Sequence, residues 1–169
     1  MADAPVLPMI ERRRIEAEML KEVYDTLEGT HGEAVAKRTI AEAVRRSSVA
    51  QAKRFAEAAQ AEGGTSMQSF LALRPLWTMN GALEIDIIEE TPATLSYNVT
   101  RCRYAEMYKS MGLGEIGHLL SCQRDGTFCE GYDPRLKLTR TQTIMQGASH
   151  CDFRYVYEAK REGAGWGGG

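Results

Sequence analysis

The sequence predicts an α+β fold from three observations. Apolar residues recur at helical spacing through roughly the first 80 positions, the period switches to two at Leu83, and a second pair of strand-like runs follows after two short helical ones. The expected architecture is a set of amino-terminal helices followed by two β-hairpins and two intervening helices. The four strands then form a mostly antiparallel sheet covered by helices on one face. Residues 1–162 are expected to form a single domain, with a helical part over 1–80 and the sheet and site over 81–162.

From Ile10 to Leu27 the apolar positions Ile10, Ile15, Met19, Leu20, Val23 and Leu27 define an amphipathic helix, and Gly29 and Gly32 are expected to break it. A second, alanine-rich helix over Glu33 to Glu62 carries Val35, Ile40, Val44, Ala52, Phe55 and Ala59 as its stripe, with Arg45 and Arg46 on the solvated side. Gly63-Gly64 stops it. Thr65 or Ser66 can cap a third helix running through Leu73 toward Met79, interrupted or restarted at Pro75, with Phe70 and Trp77 read as core.

Leu83 to Glu89 alternates apolar and acidic residues, and Thr94 to Thr100 follows the Thr91-Pro92 turn, so the two read as an antiparallel hairpin. Tyr104 to Met111 reads as a short helix ended by Gly112. Glu115 to Phe128 reads as another, loosened near Gly126 and stopped by Gly131 and Pro134. Strands at Leu136 to Met145 and Cys151 to Glu158 flank the Gly147-Ala148-Ser149 turn. The glycine-rich tail, 163–169, holds one tryptophan and is expected to be disordered.

Composition narrows the function classes. Twenty-one basic against 23 acidic residues leave a formal charge of -2, which gives no footing for nucleic acid, and no apolar run is long enough to span a bilayer. Without a secretory layout at the amino terminus, the expected location is the cytoplasm, where the 4 cysteines remain thiols. A small-molecule substrate is the expected partner. The long amino-terminal helices suit intrachain packing and a homo-oligomer interface equally.

Polar chemistry concentrates between Asn98 and Tyr155, where three segments each place a cysteine beside a carboxylate. Cys102 stands at a helix entrance with Glu106 four residues on. On the next helix His118, Cys122, Asp125 and Cys129 fall at i, i+4, i+7 and i+11, one face of one helix. In the last strand Cys151, Phe153 and Tyr155 share one face and His150, Asp152 and Arg154 the other, so Cys151 and Asp152 cannot both face one pocket unless a bulge intervenes.

Three readings of the cysteines stay open: small buried side chains, a thiolate nucleophile assisted by Glu106, Asp125 or Asp152, or zinc held by Cys102, Cys122 and Cys151 with an activated water. The cysteine spacings of 20, 7 and 22 lack a paired CxxC pattern, and no other cofactor is implied. Taken singly, each carboxylate could equally serve as an ion-pair partner of Arg101, Arg103, Arg124 or Arg154.

These segments resemble the L-2-amino-thiazoline-4-carboxylic acid hydrolase family. The resemblance runs through Asn98 to Tyr108, Gly117 to Asp125 with its Ser-Cys-x-Arg-Asp, Glu130-Gly131 before Pro134, Leu138 to Met145, and Cys151 to Tyr155. It implies hydrolytic opening of a cyclic isothiourea or amidine, with water added at the carbon between sulfur and nitrogen to give a carbamoyl-cysteine type product. It carries over Cys102, Glu106, Cys122, Asp125, Arg140, Cys151, Asp152 and Arg154. Cys122 is the first choice of nucleophile or ligand, and Arg140 or Arg154 the expected partner of a substrate carboxylate. Asn98 and Gln142 join these as substrate-binding candidates, while His118, His150 and Cys129 rank lower. A more distant likeness, to vinyl-reductase-type small-molecule-binding domains, supplies the alternative of a ligand-binding or sensing module without chemistry.

Overall fold

A computed structural model describes residues 7–159, so the glycine-rich tail lies outside the described residues. The chain begins with two long helices, α1 (Met9–His31) and α2 (Glu33–Gln60). Only Gly32 separates them, at φ 82, a backbone region that favours glycine. Gly29, expected to share in that break, stays inside α1, where a single glycine costs about 1 kcal/mol that the tertiary packing offsets.

The face of α1 differs from the sequence expectation. Ile10, Ala17 and Tyr24 are buried with Arg13 beside them, while Ile15 and Met19 are 52% and 68% exposed. Small Ala17 lets the helices approach, and the buried guanidinium of Arg13 is satisfied by Glu16 and Gln51. The apolar stripe expected from periodicity thus lies partly on the solvent side, because an arginine occupies the inward one.

Ser66 caps α3 (Met67–Leu71), and α4 (Arg74–Thr78) restarts with Pro75 in its first turn, where no N–H is needed. Strands β1 (Leu83–Glu90) and β2 (Thr94–Cys102) form the first hairpin. Then come α5 (Arg103–Ser110), a π-helical turn (His118–Cys122) running directly into α6 (Gln123–Tyr132), and β3 (Leu136–Thr139) and β4 (Cys151–Tyr157). The sheet order is β1-β2-β4-β3, with every neighbouring pair antiparallel. The α+β class and the four-stranded sheet are as the periodicity predicts.

Gly131, read as a stop, lies within α6 at its crossing with α2. A Cβ there would stand 2.5 Å from Val49 O and 2.9 Å from Ala52 Cβ. The helix ends instead at Asp133-Pro134, since proline cannot continue it. Gly131→Ala is expected to cost about 1–3 kcal/mol by forcing the two helices apart. In urea unfolding this would appear as a lower midpoint with unchanged slope.

The strand expected over Leu136 to Met145 stops at Thr139. The Asp152 carboxylate draws the next backbone out of the ladder, accepting from the N–H groups of Thr141 (3.0 Å) and Gln142 (2.9 Å) and from Thr141 Oγ1 (2.6 Å). A 3-10 turn at Ile144–Gln146, capped by Thr143, comes next.

Candidate functional site

Strand alternation builds the floor of a partly open cavity. Leu95, Tyr97 and Val99 of β2 lie opposite Tyr155, Phe153 and Cys151 of β4, and all six line it. Phe70 of α3, Trp77 of α4 and Phe128 of α6 supply aromatic walls, with Trp77 edge-on to Phe128 at 5.4 Å between ring centroids. Phe70 and Trp77 thus do more than fill the core. The free volume is about 120 Å³. A cavity of roughly 150 Å³ accepts a benzene ring, so this one suits a single small ring.

Asp125 and Arg140 are the charged pair inside. Arg140 Nη1 donates to Asp125 Oδ2 at 2.5 Å and Nη2 to Cys122 O at 2.8 Å, while the guanidinium lies 5.0 Å from the Phe153 ring centroid. Burial pushes the Asp125 carboxyl above its usual range, and Arg140 opposes but does not cancel that effect. Its side chain retains 31% of its accessible surface, and as a cavity-lining residue it turns that surface inward. A carboxyl out of bulk water and only partly compensated by a cation can take up and release a proton on neighbouring chemistry.

The π-helical turn explains how these groups converge. Such a turn widens the i→i−4 ladder and rotates the residues before it relative to those after it. The single stripe expected of His118, Cys122, Asp125 and Cys129 is not what lines the cavity: Cys122 and Asp125 do, and His118 and Cys129 do not. Two carbonyls in the turn, Leu120 O and Cys122 O, accept from Arg124 Nε (2.9 Å) and Arg140 Nη2 (2.8 Å). The irregular backbone is what seats the two arginines.

Cys102, Cys122 and Cys151 all reach the cavity, yet burial pushes each thiol upward: Cys122 to about 12 and Cys102 to about 11. Cys102 caps α5, accepting from Ala105 N–H at 3.4 Å, and even that does not bring it near neutrality. These are protonated thiols at neutral pH. Cys129 is buried and donates to Asp125 O at 3.3 Å. Among the described residues no three His, Cys, Asp or Glu side chains gather as a metal-holding group, so the zinc set of Cys102, Cys122 and Cys151 finds no preassembled geometry.

The other candidates sit elsewhere. Glu106 is on the surface in an ion pair with Arg101 at 2.8 Å. Asp152 lies on the opposite face of β4 from Cys151, as a regular strand requires, and braces Thr141 and Gln142. Burial raises its carboxyl, but the Thr141 hydroxyl and the backbone N–H groups together outweigh this and hold it down to about 2. Arg154 and Asn98 share that outer face, joined at 3.1 Å. Gln142 bonds His150 O at 3.1 Å, and half-buried His118 is held low by burial and by Lys37.

Several cavity residues carry no distinguishing sequence signal. Arg13 sits in an Arg-Arg-Arg run, and Arg124, inside the Ser-Cys-x-Arg-Asp segment, reads as an ordinary ion-pair partner. Tyr97 and Tyr155 read as strand aromatics; both line the cavity, and burial pushes both phenols up.

A family model described as L-2-amino-thiazoline-4-carboxylic acid hydrolase matches residues 12–155. No curated protein matches the chain. Among solved structures, the phenol-responsive sensory domain of the transcription activator PoxR, crystallised with phenol, is similar at a TM-score of 0.52 and 14% identity, covering 86% of this chain and 74% of that one. That likeness is one of fold. No helix among the described residues is long and apolar enough to cross a membrane.

Proposed function

The chain belongs to the L-2-amino-thiazoline-4-carboxylic acid hydrolase family, and we propose that it opens a small cyclic isothiourea or amidine by adding water at the carbon between the ring heteroatoms. The observation that carries this reading is Asp125, a carboxyl with raised proton affinity that lines a ring-sized space and is held from one side by Arg140. Arg140 occupies Oδ2, and Oδ1, which has no protein partner among the described residues, is available to a water.

In the proposed step Asp125 accepts a proton from water as its oxygen bonds to the ring carbon. The carboxyl then returns that proton to the ring heteroatom as its bond to carbon breaks. In this step the neutral phenols of Tyr97 and Tyr155, which line the cavity, donate to ring nitrogen, and the aromatic walls limit competing water. Water replaces the Cys122 thiolate as the preferred nucleophile, because a thiol pushed to about 12 is ionised only to about one part in 10⁵ at neutral pH.

The test is mass spectrometry of products from 2-amino-thiazoline-4-carboxylate and a panel of cyclic amidines and ureas, run beside Cys122→Ala. A product heavier by one water is expected with both proteins, the variant keeping turnover within about tenfold of wild type. Loss of all turnover in a folded Cys122→Ala would restore the thiol to the centre of the reaction.

The second reading is a ligand-binding or sensing module. The observation favouring it is the aromatic lining of the cavity, together with a fold similar to that of a domain described as phenol-responsive. Binding of a ring without turnover across the panel would select it.

A further inference from the structure

The cavity has a second polar region that the chemistry above does not use. Arg13 and Arg124 line it from α1 and α6, with Gln51 of α2 beside them, and are 5% and 8% exposed. Both guanidiniums lean on one carboxylate: Glu16 Oε2 accepts from Arg13 Nη1 at 2.7 Å and from Arg124 Nη2 at 3.1 Å. Arg124 Nε is taken by Leu120 O, but Nη1 is buried and, among the described residues, has no partner.

A buried guanidinium N–H without an acceptor is costly, so such a group asks for a water, an ion or a ligand that supplies the acceptor. The balance of charge says the same. Four guanidiniums line the cavity, those of Arg13, Arg74, Arg124 and Arg140, and they meet three carboxylates: Glu16, Glu90 and Asp125. One positive charge is left over, and it falls at the Arg13–Arg124 pair because those two share a single partner. Arg140 and Arg154, the arginines expected to meet a substrate carboxylate, are committed to Asp125 and to Asn98 on the outer face of the sheet.

We propose that Arg124, supported by Arg13 and Gln51, forms an anion subsite at one wall of the cavity, which receives a carboxylate on the ring ligand while the ring itself lies toward Asp125. This rests on the reading of the cavity as the ligand site and not on the hydrolytic step. It moves recognition of a substrate carboxylate from Arg140 and Arg154 to Arg124, and it separates binding of the substituent from the chemistry at the ring.

Isothermal titration with thiazole-4-carboxylate and thiazole-4-carboxamide, rings of one shape differing in charge, tests it. Wild type is expected to bind the carboxylate at least about tenfold more tightly than the amide. Arg124→Gln, checked for native circular dichroism, should erase that preference while amide binding persists. Glu16→Gln, which removes the competing carboxylate, should enlarge it and provides a second arm if the arginine variant fails to fold. Equal affinity for the two rings in wild type overturns the subsite and leaves the cavity reading standing, as does a preference unchanged in both variants. Binding of neither ring to the folded protein overturns both together.

Discussion

Asp125→Asn is expected to lower turnover of a ring substrate by about 10²- to 10⁴-fold, the range over which a positioned proton-transfer group acts. Asparagine keeps the shape of the side chain and can still accept from Arg140, but it cannot take a proton from water. The loss should therefore fall on kcat, with KM little changed, because the ring and its substituent are held by other groups. The substitution also strands the Arg140 cation, whose only carboxylate partner among the described residues is Asp125. Breaking a buried pair costs about 3–5 kcal/mol, and the low end applies because Asp125 faces the cavity. The double variant Asp125→Asn with Arg140→Gln should recover stability without recovering turnover.

The wild-type pH profile supplies the companion measurement. Burial raises the Asp125 pKa above 3.8, so the acid limb of kcat/KM should have its midpoint above that value, and Arg140→Gln should move it higher still. For stability the direction is opposite: the contribution of a raised carboxyl is fully present below pH 3.8 and is lost as pH rises through the folded-state value. An activity that survives in Asp125→Asn with an unshifted acid limb would remove this carboxyl from the mechanism.

The fold is largely legible in the sequence because its signals are local. The switch from period 3.6 to period 2 at Leu83, the Gly32 break and the Ser66 cap each depend on a few neighbouring residues. Two of the errors share a cause: each depends on a partner outside the local stretch. Gly131 reads as a stop until Val49 and Ala52 are seen against it, and β3 reads as long until Asp152 captures the Thr141 and Gln142 amides. The site divides in the same way. Cys102, Cys122, Asp125, Arg140 and Cys151 stand out by chemical type and do line the cavity. Glu106 is chemically indistinguishable from Asp125 on paper, and only tertiary structure places one on the surface and the other inside. The inward direction of Arg13 contradicts the amphipathic pattern of its helix, so no periodicity argument would have found it.

Asp152→Ala is expected to impair both stability and turnover although Asp152 never touches the cavity. Its carboxylate fixes the first two residues beyond Arg140, and Arg140 must leave β3 at that point to reach Asp125 and Cys122 O. Loss of three charge-assisted bonds at a partly exposed site should cost about 1–2 kcal/mol once solvent screening is allowed for. Turnover should fall by roughly tenfold or more as Arg140 loses its register, since small misplacement in a preorganised site is expensive.

Acid titration identifies the cause. The bonds hold the Asp152 pKa to about 2 against an ordinary 3.8, so their contribution is complete above about pH 4 and fades as pH falls through 2. Urea unfolding of wild type and Asp152→Ala should therefore differ at neutral pH and converge across that window. Asp152→Asn, which retains one oxygen acceptor and no titration, should lie between them and show none of the convergence that belongs to the charge. A gap between wild type and Asp152→Ala that stays constant from neutral pH down to about pH 2 would mean that packing, not the carboxylate, holds the segment carrying Arg140.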